Sequence, residues 1–390
     1  MVYGPPAYPG AAAGGVIVLI LCLNRGSSTL RYAVYRSAAS RLEQKQTGTL
    51  EVAAYEPGAS GSGKHGHEAV QLLFDSLARD KLHAPDIIMH RLVRGTHSHD
   101  APAWLSAEYL DELQQAANLA PLHLPPALEI IDACRIHFGD TAQAACFDTA
   151  FHAGLPAVAR RIALPRNVLA GAERCGFHGL SCEYVTSVLN NPGRTVIAHL
   201  GSGASMTAVN QGQALDTSMG FTPTGGLMMS TRSGDLDPGV LVYLLQSRRI
   251  SLNELETILN LESGLLGVSE HSADMQTLLN LSEQQPDARD AVELFCYLAR
   301  KHLAAMVAAL GGIDTLVFTG GIGENAPFVR KLICDNLGHL GIRIDGTRNV
   351  AGADVISPRR ARCTIRVVHT NEELIMARHA RELLKQESIT

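Results

Sequence analysis

Several things are scarce in this 390-residue sequence, and each scarcity excludes something. It has one Trp and 5% aromatic residues, and no Cys-x-x-Cys pair among its eight Cys (22, 134, 146, 175, 182, 296, 334 and 363). Most of those Cys sit inside apolar runs, which reads as buried reduced thiols and not as a disulfide framework or a zinc site. Positive charge is not in excess: 33 Lys and Arg face 38 Asp and Glu, a net of -5. No sequence-wide field therefore recruits nucleic acid or an anionic membrane. The apolar run at 16–23 is only eight residues, far short of the roughly 20 that cross a bilayer. No Lys or Arg precedes it, so the Gly/Ala/Pro-rich residues 1–15 read as a loose tail and not as a signal peptide. Low-complexity linkers are missing as well, and the Gly and Pro follow no collagen-like period.

What is present is a globular composition, 46% hydrophobic and 18% charged. At roughly 150 residues per domain the length predicts two to three domains with a sizeable core. Residues 16–23 form a continuous apolar run with β-branched members, the pattern of a buried strand, and end at a polar turn, Asn24-Arg25-Gly26-Ser27-Ser28. Further strands are expected at 30–35, 48–54, 86–93 and 144–148, with helices at 67–79, 106–116 and 127–138 and a Pro-broken segment at 121–126. A second round follows. An apolar strand at 195–199 ends in Leu200-Gly201-Ser202-Gly203, and 205–209 pairs back on it. Helices are expected at 237–246, 252–261, 273–281, 288–310 and 328–337. A strand at 315–318 runs into Thr319-Gly320-Gly321-Ile322-Gly323-Glu324-Asn325, and a late strand falls at 364–368. Two rounds, each opening on an apolar strand that ends in a Gly/Ser turn, suggest a duplicated α/β unit.

Residues 58–65 (GASGSGKH) nearly fit the phosphate loop G-x-x-x-x-G-K-[ST]. They fail where chemistry needs a hydroxyl: His65 replaces the Mg²⁺-holding Ser or Thr, and no apolar strand leads in. A solvated surface loop is expected there. The Gly-rich turns at 26–28, 201–203 and 320–323 differ because each follows a strand. Such turns present bare backbone N–H groups to phosphate, and three at strand ends favour nucleotide phosphate binding. Arg91 ends one strand, and Arg232 lies in Ser230-Thr231-Arg232-Ser233-Gly234-Asp235. Either can be a structural salt bridge; the sharper reading is a planar fork on a carboxylate or phosphoryl group. Asp148 and His178, read singly, are buried and satisfied polar residues.

Taken together, these segments resemble the acetate kinase family of carboxylate kinases, from about residue 16 to 380. The matching stretches are Leu23-Asn24-Arg25-Gly26-Ser27-Ser28-Thr29-Leu30, His90-Arg91-Leu92-Val93, Phe147-Asp148-Thr149-Ala150-Phe151-His152 and Gly176-Phe177-His178-Gly179. Then come His199-Leu200-Gly201, Asp216-Thr217-Ser218-Met219-Gly220, Thr231-Arg232-Ser233-Gly234-Asp235, Gly321-Ile322-Gly323-Glu324-Asn325 and Thr370-Asn371-Glu372-Glu373-Leu374. The resemblance implies the duplicated two-domain α/β fold shared by acetate and sugar kinases, actin and the heat-shock ATPase, ribonuclease H-like, with the active site in the interdomain cleft. Residues 1–15 would be the tail. Residues 16–148 with 373–390 would be domain I, and 149–372 the nucleotide-binding domain II.

The resemblance also implies roles. Asn24 and Glu372 would hold Mg²⁺ (or Mn²⁺), with Asp148 close by, and Arg91 and Arg232 would bind the carboxylate and the transferring phosphoryl group. His178 would donate to developing charge. His199, Leu200, Gly201, Ser202, Gly203, Gly321, Ile322, Gly323, Glu324 and Asn325 would cradle ATP, together with Arg31, Asp274, Met275 and Gln276, of which Asp274 would face the ribose. Val93, Leu122, Phe177 and Pro223 would line the acyl pocket. The implied reaction is Mg²⁺-dependent, reversible transfer from ATP to acetate, in a cytoplasmic homodimer whose partners are a small carboxylate and ATP or ADP, with no nucleic acid and no membrane. Propionate or butyrate kinase is the nearby alternative. Arg31, Ser202 and Gln276 stand where the family has Lys, Asn and Arg, so a divergent nucleotide-binding member with another phosphoryl donor, or without transfer, stays open.

Overall fold

The structure, a computed structural model, describes residues 17–26, 29–38, 41–52, 62–80, 82–96, 101–120, 123–169, 171–190 and 192–387. The chain divides into two compact units: Met1–Ala150 with Asn371–Thr390, and Phe151–Thr370.

In the first unit a meander of β1 (Val18–Arg25), β2 (Thr29–Ala38) and β3 (Arg41–Glu51) continues into β4 (Ile87–Leu92), β5 (Ala103–Trp104) and β6 (Ala142–Phe147). The sheet order is β3-β2-β1-β4-β6-β5. β1, β2 and β3 pair antiparallel, whereas β1, β4 and β6 run parallel. Period-two alternation sorts the residues of β1 between two faces. Leu19, Leu21 and Leu23 join a core with Ala69, Val70 and Leu73 of helix Ser62–Arg79 and Ile130, Ala133 and Cys134 of helix Leu124–Phe138. Each such fully buried Leu contributes about 1.5–3 kcal/mol. The alternate residues, Cys22 and Asn24, face the other way, and Asn24 bonds to the start of helix Glu372–Glu387. The last helix of the chain thus returns to the first strand.

The second unit repeats the arrangement with β7 (Thr195–Leu200), β8 (Ala204–Asn210), β9 (Gln213–Thr217), β10 (Thr315–Thr319) and β11 (Thr364–Val367), in the order β11-β10-β7-β8-β9. Again the opening strand pairs antiparallel with a meander on one side and parallel with later strands on the other. One topology occurring twice is the duplication that the two sequence rounds suggested.

Some elements differ from the sequence-based expectation. Ser62–His65, expected in a surface loop, opens helix Ser62–Arg79, while 58–61 lie outside the described residues. Pro125 and Pro126 do not break a helix but begin one, at positions where the missing N–H costs nothing. The 252–261 helix is two pieces, Leu252–Thr257 and a π turn, Ile258–Glu262. Gly320–Asn325 is a short helix and not an open turn. All eight Cys are buried, and none is in a disulfide. Burial pushes the thiols of Cys22, Cys134 and Cys334 up, so they stay protonated and inert at neutral pH. Among the described residues, no helix is long and apolar enough to cross a membrane.

Candidate functional site

Two clusters gather the candidate residues, one in each unit. The first forms at the carboxyl ends of the parallel strands β1, β4 and β6. Asn24 is the penultimate residue of β1, Arg91 that of β4, and Asp148 follows β6 directly, its N–H still bonded to the Leu92 carbonyl. The Arg91 fork donates from Nε to Asp148 Oδ1 (3.0 Å) and from Nη2 to Asp148 Oδ2 (2.5 Å), a bidentate grip, and from Nη1 to Asn24 Oδ1 (3.0 Å). Asn24 Nδ2 donates in turn to Glu372 Oε2 (2.9 Å) and more loosely to Glu373 Oε1 (3.4 Å). Those two carboxylates sit in the first turn of the last helix because Asn371 Oδ1 accepts from the Leu374 N–H and caps it. There the helix dipole favours negative charge.

Burial alone would lower the Arg91 guanidinium, but Asp148, Glu372 and Glu373 outweigh it and hold its pKa above the ordinary value. Asp148 is 1% exposed, and the carboxylates of Asp148, Glu372 and Glu373 all act on the Arg91 guanidinium. The donor set is all oxygen, which suits a hard divalent cation. Among the described residues, no three His, Cys, Asp or Glu make a self-contained metal cage. The fit is to a hard divalent ion that takes one or two carboxylates and completes its shell from outside the protein.

The second cluster surrounds the β7–β8 hairpin. His178 caps helix Gly179–Val188 in a left-handed conformation (φ 60°, ψ 30°), unusual for a residue with a Cβ and a mark of functional sites. Its Nδ1 pairs with Ser205 Oγ (2.9 Å), and its ring stacks on His199 at 4.3 Å. His199 Nδ1 is held by Ser181 Oγ (2.9 Å). At Gly203 even a methyl group would lie 3.1 Å from His178 Nε2 and 3.6 Å from Arg232 Nη1. The imidazole and the guanidinium therefore both border one glycine. Arg232 Nη1 donates to the Pro223 carbonyl (3.1 Å), and the Ser230 N–H donates to the Ser202 carbonyl (3.1 Å), which ties the Arg232 loop to the hairpin.

Beside that hairpin, helix Gly320–Asn325 follows β10. Gly320 (φ 77°) turns the chain so tightly that a Cβ would meet the Leu200 carbonyl at 2.8 Å. Buried Arg330 donates from Nη1 to the Gly323 and Glu324 carbonyls (both 2.9 Å), holding the far end of this helix. Glu324, expected to touch nucleotide, turns inward. Its Oε1 accepts from the Gly320 N–H (2.9 Å) and the Thr370 N–H (3.1 Å). Asn325 Nδ2 bonds the Gly321 carbonyl (2.9 Å).

The other candidates are more scattered. Arg31 is exposed on β2, directly opposite Asn24 in register. Asp274 caps helix Met275–Leu281, with Oδ2 accepting from the Thr277 N–H and hydroxyl (both 2.8 Å). Met275 is buried, and Gln276 is exposed with Nε2 on Asn280 (3.3 Å). Val93 belongs to the first unit and Phe177 and Pro223 to the second; all three are buried. Leu122 lies outside the described residues, as do Ser27 and Ser28.

Sequence reasoning missed Glu373, Ser205 and Ser181. Glu373 had a visible signal, its adjacency to Glu372. The two Ser partners had none, since they depend on which hydroxyl the fold brings to each imidazole.

Comparison with known proteins identifies the family. The chain matches the Acetokinase family over residues 19–378. It is 38% identical to an acetate kinase of Rhodopseudomonas palustris, over 93% of this chain and 97% of that one. It is 35% identical to an acetate kinase of Heliobacterium modesticaldum, over 94% and 100%. Among solved structures it is similar to acetate kinase of Porphyromonas gingivalis (TM-score 0.78, 32% identity, 94% and 100% covered). It is also similar to a propionate kinase of Francisella tularensis (TM-score 0.80, 32% identity, 93% and 98% covered).

Proposed function

This chain belongs to the acetokinase family, and from that premise we propose that it transfers the terminal phosphoryl group of ATP to acetate, reversibly, giving acetyl phosphate and ADP. An acetate oxygen attacks the γ-phosphorus, the bond to the ADP oxygen breaks, and ADP leaves with those electrons. The acceptor is already ionised at neutral pH, so no strong base is required. What the reaction needs is in-line placement and neutralisation of the charge on the equatorial oxygens.

The residues divide that work. In this reading Arg91 and Arg232 bind the carboxylate and the phosphoryl group as planar forks. His178 donates a hydrogen bond from Nε2, since its Nδ1 is engaged by Ser205. The hairpin at Gly201, Ser202 and Gly203 and the helix Gly320–Asn325 offer backbone N–H groups to the nucleotide phosphates, with Glu324 and Arg330 bracing that helix from behind. Asn24 and Glu372 would hold Mg²⁺, which when bound withdraws charge from the phosphate oxygens. Asp148, tied to Arg91 at two points, orients that guanidinium and removes no proton. The acyl chain is assigned to Val93, Leu122, Phe177 and Pro223 on the family resemblance, and Asp274 keeps one carboxylate oxygen for a ribose hydroxyl.

The observation that carries the reading is the Asn24–Arg91–Asp148–Glu372 cluster, an anionic oxygen set around one planar cation. A solitary structural salt bridge would need no such excess of carboxylate. We propose further a cytoplasmic homodimer. Helix Pro238–Ser247 buries none of its residues and exposes Val240, Val242 and Tyr243, with Leu236 and Leu252 exposed nearby. Such an apolar surface is characteristic of subunit interfaces. Propionate or butyrate transfer is the second reading, favoured by the likeness to a propionate kinase structure.

The experiment is an ADP-release assay with Mg²⁺ and ATP across acetate, propionate and butyrate. Acid-dependent turnover with the highest kcat/KM for acetate is expected. Turnover independent of the acid overturns the assignment, and a propionate or butyrate maximum selects the second reading. Each CH₂ is worth about 1–3 kcal/mol in such a comparison.

A further inference from the structure

Asn260 lies in the π turn Ile258–Glu262, a distortion of helical winding that concentrates at functional positions. The turn runs alongside the loop that carries Arg232. The Ser233 N–H donates to the Leu259 carbonyl (3.1 Å), the Ser263 N–H to the Thr231 carbonyl (3.0 Å), and the Leu265 N–H to the Met229 carbonyl (2.8 Å). At Gly264 (φ 63°) a Cβ would lie 2.2 Å from the Met229 carbonyl oxygen, so the two segments touch backbone to backbone.

Asn260 itself holds two separate pieces of the second cluster. Its Oδ1 accepts from Thr224 Oγ1 (2.6 Å), next in the chain to Pro223, and its main-chain carbonyl accepts from Thr231 Oγ1 (2.8 Å), next to Arg232. Its Nδ2 donates to the Glu256 carbonyl (3.0 Å), so the amide is pinned at both ends. Arg232 Nη1 meanwhile donates to the Pro223 carbonyl. The three contacts close a small framework in which Asn260 fixes both sides of the Pro223–Arg232 contact.

We infer that Asn260 is a positioning residue for carboxylate recognition: it sets the spacing between the Arg232 guanidinium and the Pro223 wall, and through it the preferred acyl length. This rests on the reading of Arg232 and Pro223 as substrate-side residues. Asn260 touches neither substrate nor reacting atoms; it acts through Thr224 and Thr231. Released from it, the guanidinium keeps its charge but loses its fixed distance from the wall. The loss then falls on the carboxylate and not on the nucleotide.

The test compares Asn260→Ala, Asn260→Asp and Thr224→Val with the unaltered protein, reading kcat and KM for acetate, propionate and ATP beside a thermal melt. For Asn260→Ala, kcat/KM for acetate should fall by roughly tenfold or more, because small misplacements of a positioning group carry large rate costs. KM for ATP should stay within about twofold, and the propionate-to-acetate ratio should rise. Asn260→Asp keeps the acceptor toward Thr224 and should recover much of the lost kcat/KM. The Ala and Val effects should combine to less than their sum, as for groups sharing one contact. Unchanged acetate kinetics in Asn260→Ala, or a loss shared equally by acetate and ATP and matched by a lower melting temperature, overturns the inference. If unaltered protein turns over no carboxylate at all, the functional reading itself fails. If it does and the variants match it, only the role of Asn260 fails.

Discussion

Replacing Arg91 separates charge from geometry in the first cluster. Arg91→Ala removes three hydrogen bonds at once, two to Asp148 and one to Asn24. It takes the Arg91 guanidinium away from the almost fully buried Asp148 and from Glu372 and Glu373. Breaking a buried pair by deleting one partner costs about 3–5 kcal/mol, a large share of the roughly 5–15 kcal/mol that holds a typical domain folded. Arg91→Lys restores the charge but not the fork, so one ammonium must serve three acceptor oxygens, on two side chains, that now each receive a directed N–H group. Its stability loss should be smaller, about 1–2 kcal/mol, while its carboxylate turnover should fall by about 10²-fold or more. Millimolar Mg²⁺ should raise the melting temperature of Arg91→Ala more than that of the unaltered protein, because a positive charge has been removed from beside three carboxylates. The assays are thermal melts with and without Mg²⁺ and hydroxylamine trapping of the acyl phosphate. Equal destabilisation by Ala and Lys, or turnover within threefold of the unaltered protein in Arg91→Ala (a cost below about 1 kcal/mol), would refute the reasoning.

Two other outcomes follow from single contacts. Gly203→Ala puts a methyl group 3.1 Å from His178 Nε2 and should lower kcat about tenfold with little change in melting temperature, since only the imidazole must move; a normal kcat would detach His178 from the chemistry. Burial pushes His90 down from 6.5 to about 4, against a smaller raising effect from its bond to Gln143. The unfolded chain therefore binds more protons than the folded one between those values. The stabilising contribution is complete above about pH 6.5 and is lost as pH falls toward 4, by up to about 3 kcal/mol. Urea titrations of His90→Gln should show a flatter pH dependence in that window, and an unaltered slope would contradict it.

The legible parts of this molecule were those that local chemistry dictates. Strands β1, β4, β6, β7 and β10 are apolar runs because both faces of each are covered, and that burial shows directly in the sequence. β9 (Gln213–Thr217) is not legible because it is short and its burial follows no alternation. Gly320–Asn325 reads as a turn from its glycines, but the carboxylate of its own Glu324 and the guanidinium of nearby Arg330 hold it helical through contacts that the sequence pattern does not show. The same holds for the site. Asn24, Arg91 and Asp148 stand out as polar residues at the ends of apolar strands. Asn24 and Glu372, 348 residues apart in the chain, could be joined only through family resemblance, and Asn260 gave no signal at all because its role lies in which two hydroxyls the fold delivers to it.

The most direct test of the central claim is ³¹P NMR of the purified protein incubated with ATP, acetate and Mg²⁺. The account predicts an acyl phosphate resonance growing in step with ADP, absent without acetate and lost in Arg91→Ala. ADP appearing with inorganic phosphate and no acyl phosphate, or ATP left intact with acetate, propionate and butyrate alike, would contradict it.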